Sequence, residues 1–250
     1  MSPTIRSEVL RPKPQVFESP CDECAIREVS VCASLNPEQL NQLRTIATSV
    51  RVDRGGVIYR ESEPAEHVSN VIEGSVRLYK LLPDGRRQIT GFLLPGDFLG
   101  VALNETYAFS AEALESVKLC RFSRRAIVAL IERMPHLGHQ LLEEAANEIV
   151  AAQDQMLLLG RKSAGEKVAS FLIMMLRRRV ARGEPKDRLR LPMSRADIAD
   201  YLGLTTETVS RTFTRFKKDG IIALPSDGDV LIKRRAALDA IAQAEGPSAT

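Results

Sequence analysis

The sequence predicts an α+β fold in which an N-terminal antiparallel β-roll is followed by a long helix and a C-terminal domain of short helices. Three observations support this prediction. Short runs of β-branched or alternating apolar residues, separated by turn residues, occupy residues 50–125. Apolar residues then recur at steps of three and four over 136–159, and helix signals alternate with short turns from 162 to about 240.

The strands of the roll are predicted from four stretches, VIYR, NVIEGSVRLYKLL, RRQITGFLL and ESVKLCRF. Their composition is typical of strands that bury one face. Turn formers separate them, namely Gly55-Gly56, Asp84-Gly85 and Pro95-Gly96-Asp97. Many short strands at this spacing indicate an antiparallel roll or barrel. The pattern alone leaves its role open between sensory, catalytic and structural.

One long helix is predicted over residues 136–160. Its sequence, HLGHQLLEEAANEIVAAQDQMLLL, has apolar residues in an a/d pattern, which requires a partner surface. The helix either lies on its own roll or pairs with a second copy. The small residues Ala145 and Ala152 permit close helix approach and favour a homodimer. The predicted dimer seam consists of Leu142, Ala145, Ile149, Ala152, Met156 and Leu159.

The C-terminal part of the chain is basic. From residue 161 onward, 18 Lys or Arg face 11 Asp or Glu, a net charge of +7, whereas the first 160 residues carry −4. This asymmetry is expected of a nucleic-acid-binding domain joined to another module. Many basic faces are simply solvated, so the charge alone does not identify such a domain.

The stretch SRADIADYLGLTTETVSRTFTRFKKDGII predicts a helix-turn-helix. Ser194 and Asp197 form the pattern of a capping box, and Gly203 can take the left-handed conformation that ends a helix. Thr205 or Thr206 then caps the second helix. The residues predicted to turn inward are Ile198, Ala199, Leu202, Val209, Phe213 and Phe216.

The exposed side of the second helix suits double-stranded DNA, because such a helix lies in the major groove. Arg211 can donate two hydrogen bonds to a guanine, Glu207 can accept one from a cytosine, and Ser210 can reach a base edge or phosphate. A following hairpin, IIALPSDGDVLIK, is predicted to be a wing. The alternative is a charged, solvated helix on an ordinary bundle, which would not need the cap, the glycine turn, the polar face and the wing together. The predicted contacts to the DNA backbone are Thr206, Thr214, Arg215, Lys217 and Lys218.

Three of the four cysteines, Cys21, Cys24 and Cys32, lie in a short polar stretch, and Cys120 ends a predicted strand. No apolar run reaches the ~18 residues of a membrane span, and the N-terminus lacks the apolar region of a secretory signal. We therefore expect a cytoplasmic protein without a membrane partner, whose reduced thiols favour a metal or redox role. A zinc site, a disulfide from Cys21 to Cys24 or Cys32, and a buried structural role for Cys120 remain open.

The order of roll, long helix and winged helix-turn-helix resembles the CRP/FNR superfamily of bacterial transcription regulators, over most of the chain. DIADYLGLTTETVSRTFTRF is similar to the DNA-binding signature of its FNR branch. The resemblance implies a jelly roll like that of cyclic-nucleotide-binding domains. It also implies that Cys21, Cys24, Cys32 and Cys120 hold a [4Fe–4S] cluster, which takes four thiolates. Seven residues between the second and third cysteines resemble the subgroup found in alphaproteobacteria.

The resemblance further implies an oxygen-responsive homodimer that activates transcription through RNA polymerase. Glu207, Ser210 and Arg211 would read TTGAT-type half-sites of an inverted repeat, about one helical turn apart. Oxygen would dismantle the cluster and weaken the pairing of the long helices. Ala152 departs from some FNR relatives, which carry an acidic residue there, so the dimer need not dissociate without the cluster.

Two functions are not expected. Residues 102–116, ALNETYAFSAEALES, lack the arginine that holds the phosphate in cyclic-AMP receptors, and burying an unpaired phosphodiester is costly, so no cyclic nucleotide is expected. The chain also lacks a Gly-rich phosphate loop, HExxH, GxSxG or a catalytic carboxylate pair, so it is not expected to be an enzyme. A regulator of the same fold that binds zinc, forms a redox disulfide or works without a metal is the alternative.

Four parts of the chain are predicted. They are a flexible tail over 1–18, a cysteine-bearing sensory roll over 19–135, a dimerisation helix over 136–160 and a winged helix-turn-helix domain over 161–250.

Overall fold

A computed structural model describes residues 15–17, 21, 24–100 and 105–243 of the chain. Its first half contains the predicted antiparallel roll. The strands of the roll are β1 Gln15–Phe17, β2 Ala47–Val52, β3 Val57–Tyr59, β4 His67–Glu73, β5 Val76–Leu81, β6 Arg87–Leu93, β7 Phe98–Leu99, β8 Ser110–Ala113 and β9 Val117–Ser123. They form a five-stranded sheet in the order β1-β2-β9-β4-β7 and a four-stranded sheet in the order β3-β8-β5-β6.

The two faces of the five-stranded sheet bury different cores, because successive side chains of a strand point to opposite faces. Val71 and Leu119 point into the roll, where they meet residues of the four-stranded sheet. Val68 and Phe122 point to the outer face. That outer face is covered by Val31, Leu35, helix α1 (Pro37–Arg44) and helix α2 (Arg124–Arg133). A short 3-10 helix (Arg27–Val29) precedes this layer in the chain.

The predicted flexible tail over 1–18 includes a short strand near its end. Gln15–Phe17 forms β1, which pairs antiparallel with β2 in the register Gln15↔Arg51. The unpaired edge of β2 accounts for this, because its backbone groups gain hydrogen bonds from an added strand. The remainder of the predicted tail lies outside the described residues.

The long helix, α3, spans Pro135–Arg161, one residue beyond the predicted 136–160 at each end. It is about 40 Å long at 1.5 Å per residue. Leu137 and Leu158 anchor its two ends in the cores, while the apolar side chains between them are largely in water. Among the described helices, none is long and apolar enough to cross a membrane.

The C-terminal domain is built on α4, whose apolar side is fully buried. Its elements are α4 Ala164–Val180, β10 Arg188–Arg190, α5 Arg195–Leu202, α6 Thr206–Lys218, β11 Ile222–Ala223, β12 Asp229–Ile232 and α7 Arg235–Gln243. The last three strands form an antiparallel sheet in the order β10-β12-β11. The α+β fold class, with roll, long helix and winged helix-turn-helix, is therefore confirmed.

The roll and the C-terminal domain share one continuous core. Phe92 of β6 contacts Phe171 of α4 and Tyr201 of α5, with ring centroids 6.1 Å and 5.2 Å away. Polar side chains border this contact, and Asp97 pairs with both Arg178 and Arg182. The helix-turn-helix is therefore packed directly against the four-stranded sheet.

Candidate functional site

The first helix of the helix-turn-helix has the predicted ends. The Ser194 side chain accepts a hydrogen bond from the Asp197 amide at 3.1 Å, and Asp197 accepts one from the Ser194 amide at 3.0 Å. Gly203 ends α5 at φ 60° and ψ 43°, which glycine adopts without a Cβ penalty. A Cβ there would lie 3.3 Å from Leu159, so this turn packs against the end of α3.

The recognition helix α6 begins at Thr205, whose hydroxyl accepts a hydrogen bond from the Thr208 amide at 3.2 Å. Val209, Phe213 and Phe216 are buried, as predicted from the sequence. All eight residues predicted to contact DNA are exposed: Thr206, Glu207, Ser210, Arg211, Thr214, Arg215, Lys217 and Lys218. The helix therefore presents a polar surface to solvent and an apolar surface to its own domain.

Several of these side chains have partners within the protein. Arg211 and Glu207 form an exposed pair at 3.7 Å, which contributes little stability in water. The Ser210 hydroxyl donates to the Thr206 carbonyl at 2.9 Å, so it must rotate to reach a base. Arg215 lies against the start of α4, since a Cβ on Gly165 would be 2.5 Å from its guanidinium. This second contact of Arg215 was not evident from the sequence.

The wing follows the recognition helix as predicted. Strands β11 and β12 pair in the register Ile222↔Ile232, and Ser226 donates a hydrogen bond to Asp229 across the turn. Gly228 has φ 79°, and a Cβ there would come within 2.9 Å of the Leu191 carbonyl. The hairpin is thus held against the strand that leads into α5.

The four cysteines form the second candidate site, because they line one cavity. Cys120 is on β9, on the outer face of the five-stranded sheet, while Cys21, Cys24 and Cys32 belong to the segment that covers this face. The other lining residues are Ile26, Arg27, Leu40, Leu43, Asn70 and Phe122. The fold therefore brings together side chains that are nearly a hundred residues apart in the sequence.

All four cysteines are thiols in the structure. The pKa of the Cys32 thiol is raised to about 11, mainly by burial and to a smaller extent by the nearby Cys24 and Cys21, while a hydrogen bond with Ser30 and the charge of Arg27 act to lower it. Among the described residues, no three His, Cys, Asp or Glu side chains are grouped to hold a single metal ion. In a [4Fe–4S] cluster each thiolate binds a different iron, so its four sulfurs surround a volume instead of one point. The donor set and the shared cavity fit such a group.

Two tyrosines of the roll stack at the stretch 102–116, for which the sequence predicts no cyclic nucleotide. Tyr59 and Tyr107 have ring centroids 3.7 Å apart, and the Tyr107 hydroxyl donates to the His67 carbonyl at 2.8 Å. Residues 101–104, which include the start of the stretch 102–116, lie outside the described residues. The expectation that no cyclic nucleotide binds stays a prediction.

A roll joined by a long helix to a winged helix-turn-helix with an exposed polar recognition helix defines a class of DNA-binding regulator. Residues 166–241 match the Crp-like helix-turn-helix domain, and residues 49–134 match the cyclic nucleotide-binding domain. The chain belongs to the CRP/FNR family of transcription regulators. It binds DNA and is not an enzyme, as predicted.

Relatives across the whole fold support this assignment. The chain is 47% identical over 212 residues to the nitrogen fixation regulation protein FixK of Bradyrhizobium diazoefficiens, covering 85% of this chain and 90% of that one. It is 48% identical to the transcriptional activatory protein AadR of Rhodopseudomonas palustris (82% and 86% covered) and 38% identical to the transcriptional activator protein FnrL of Cereibacter sphaeroides (85% and 87%). The solved structure of FixK2 from Bradyrhizobium japonicum superimposes with a TM-score of 0.76 at 39% identity, covering 80% of this chain and all of that one.

Proposed function

We propose that this protein is a cytoplasmic, oxygen-responsive, dimeric transcription activator that binds TTGAT-type inverted repeats while Cys21, Cys24, Cys32 and Cys120 hold a [4Fe–4S] cluster. The observation that carries the proposal is the convergence of all four cysteines on one cavity. A cysteine with only a structural role would not require three others from a distant segment. Activation would use exposed loops that contact RNA polymerase.

The cysteine cavity is linked by packing to the long helix. Cys32 and Cys120 belong to the same apolar cluster as Leu137 and Leu141, the residues at the start of α3. When bound, the cluster supplies an oxygen-labile cross-link between the N-terminal segment and the sheet. Loss of that cross-link loosens the layer against which the start of α3 packs, and this biases the pairing of two such helices.

The exposed apolar residues of α3 support a dimer. Leu142, Ile149 and Met156 follow one another at intervals of seven residues, and each is more than 60% exposed in the single chain. Large apolar residues at that spacing and exposure are typical of a coiled-coil seam whose partner helix belongs to a second chain. Ala145 is half-buried and Ala152 is exposed. Leu159 differs from the other seam residues, because it is half-buried against the turn at Gly203.

The second candidate is a regulator of the same fold whose cysteines bind zinc, form a disulfide or take no part in sensing. All four cysteines are thiols that share one cavity, so a disulfide or a role without a metal is also compatible with their arrangement. Under this alternative the DNA-binding surface is unchanged, and only the sensor differs.

Iron and acid-labile sulfide per monomer, on protein purified without oxygen, separate the two candidates. We expect about four of each, with visible absorbance and duplex affinity decreasing together when air is admitted. Cys120→Ala should fold but take up no cluster, and Cys24→Ser should behave in the same way. Zinc or no metal, with DNA binding unaffected by air, would contradict the sensor and retain the regulator.

A further inference from the structure

Two buried polar residues flank Cys120 on the neighbouring strands. In the five-stranded sheet, Ser49 of β2 and Asn70 of β4 are each directly opposite Cys120 of β9. Residues directly opposite one another share a face of the sheet, with Cβ atoms about 4.5–5.5 Å apart. Ser49 and Asn70 therefore point into the layer that contains the cysteines, and Asn70 lines their cavity.

Both residues have polar atoms without a partner. Ser49 is 0% exposed and Asn70 is 1% exposed, and neither Ser49 Oγ nor Asn70 Oδ1 has a hydrogen-bond partner among the described residues. The Asn70 amide nitrogen is 4.0 Å from Cys32 Sγ, at the long limit for a hydrogen bond to sulfur. Ser49 Oγ can donate as well as accept, whereas Asn70 Oδ1 only accepts, so the donor of Asn70 is its amide nitrogen. Buried polar groups are rarely left unpaired, so a hydroxyl without a partner and an amide at the limit of reach of a sulfur indicate that an acceptor is missing between them.

We infer that Ser49 and Asn70 are positioning residues whose hydroxyl and amide donate hydrogen bonds to the sulfur atoms of the cluster site and lengthen the lifetime of the cluster in air. This inference rests on the proposed function. A sulfur ligand accepts hydrogen bonds, and donors near the sulfurs help to set the reduction potential of an iron–sulfur cluster. Donation withdraws electron density, which makes the cluster harder to oxidise.

The test compares variants that remove the donors with matched controls. Ser49→Ala removes a hydroxyl, Asn70→Leu removes the amide at similar volume, and Ser49→Thr keeps a hydroxyl at the same position. Ser69→Ala is the control, because Ser69 is also buried and adjacent to Asn70 on β4 but points to the other face of the sheet.

The first readout uses the protein without cluster. Because Ser49 Oγ and Asn70 Oδ1 have no partner there and the Asn70 amide nitrogen has only a long contact to Cys32, Ser49→Ala and Asn70→Leu should melt at or above the temperature of the wild type. A purely structural role predicts the opposite, a clear loss of stability in both variants. That loss, with an unchanged cluster lifetime, would overturn the inference.

The second readout is the half-life of the cluster absorbance in air-saturated buffer after anaerobic reconstitution. We expect half-lives shorter by about 10-fold in Ser49→Ala and Asn70→Leu, the lower end of what lost outer-shell partners cost at metal sites. The reduction potential should fall in both, while Ser49→Thr and Ser69→Ala should match the wild type. If Ser49→Ala or Asn70→Leu folds but takes up no cluster while Ser49→Thr takes it up, that result also supports the inference.

The wild type separates the proposed function from the inference about Ser49 and Asn70. If it takes up no iron and sulfide, the proposed function fails before any variant is made, and the inference fails with it. If it loads normally and the donor-deleted variants decay at its rate, only the inference is overturned.

Discussion

Arg77 donates a hydrogen bond to Asp197 at 2.6 Å and thereby joins the roll to the first helix of the helix-turn-helix. Arg87, from the next strand, donates to the same carboxylate at 2.8 Å and also pairs with Asp200. Asp197 is thus both part of a helix cap and the main anchor of the DNA-binding domain on the four-stranded sheet. Its two roles couple the position of the recognition helix to the roll.

Replacing Arg77 should destabilise the protein. Arg77→Met leaves the buried Asp197 with one cation less and Glu112 without its ion pair, so we expect a loss of about 2 kcal/mol in the free energy of unfolding. Arg86→Met is the matched control, since its pair with Asp84 is largely exposed and its loss should change the free energy of unfolding far less. Urea unfolding measures both, and equal losses would contradict the anchoring role.

The pH dependence of stability should reflect Asp197. Burial acts to raise the pKa of this carboxyl, but hydrogen bonds from Ser194 and the charges of Arg77 and Arg87 outweigh it and hold the pKa below the ordinary 3.8. The stability that Asp197 contributes is therefore fully present above pH 3.8 and is lost as the pH falls through the lower pKa of this carboxyl in the folded protein. Unfolding free energies measured across this range should fall less steeply for Asp197→Asn, and an identical slope would refute the assignment.

The dimer should become more dependent on the cluster when a charge enters the predicted seam. Ala152→Asp would place two like charges across the pair, and we expect weaker association without iron than in the wild type. Gln153→Asp, an exposed neighbour off the predicted seam, is the control. Sedimentation equilibrium of the iron-free proteins measures this, and equal dissociation constants for Ala152→Asp and the wild type would contradict the predicted seam.

Base-reading and backbone-contacting residues should differ in their response to DNA sequence and salt. Arg211→Ala should cost about 1–3 kcal/mol on a TTGAT-type duplex and relax specificity at one position. Lys217→Ala should weaken binding to all duplexes alike and reduce the salt dependence by about one phosphate contact. Titrations of matched and substituted duplexes at several salt concentrations distinguish the two, and indistinguishable profiles would argue against the assigned roles.

The local features of this protein were determined by its sequence alone. The caps at Ser194 and Thr205, the left-handed Gly203 and the spacing of buried residues on α6 depend on contacts within a few residues, so they could be predicted with their partners. The grouping of the cysteines came from a resemblance, because spacing alone left zinc and a disulfide open.

Only the tertiary structure decided which distant side chains meet. A shift of one residue in strand register reverses the face of every side chain, so the sequence could not place Ser49 and Asn70 on either side of Cys120. The same holds for Arg77 with Asp197, which are 120 residues apart. Such contacts depend on how whole layers pack, and that is a property of the complete fold.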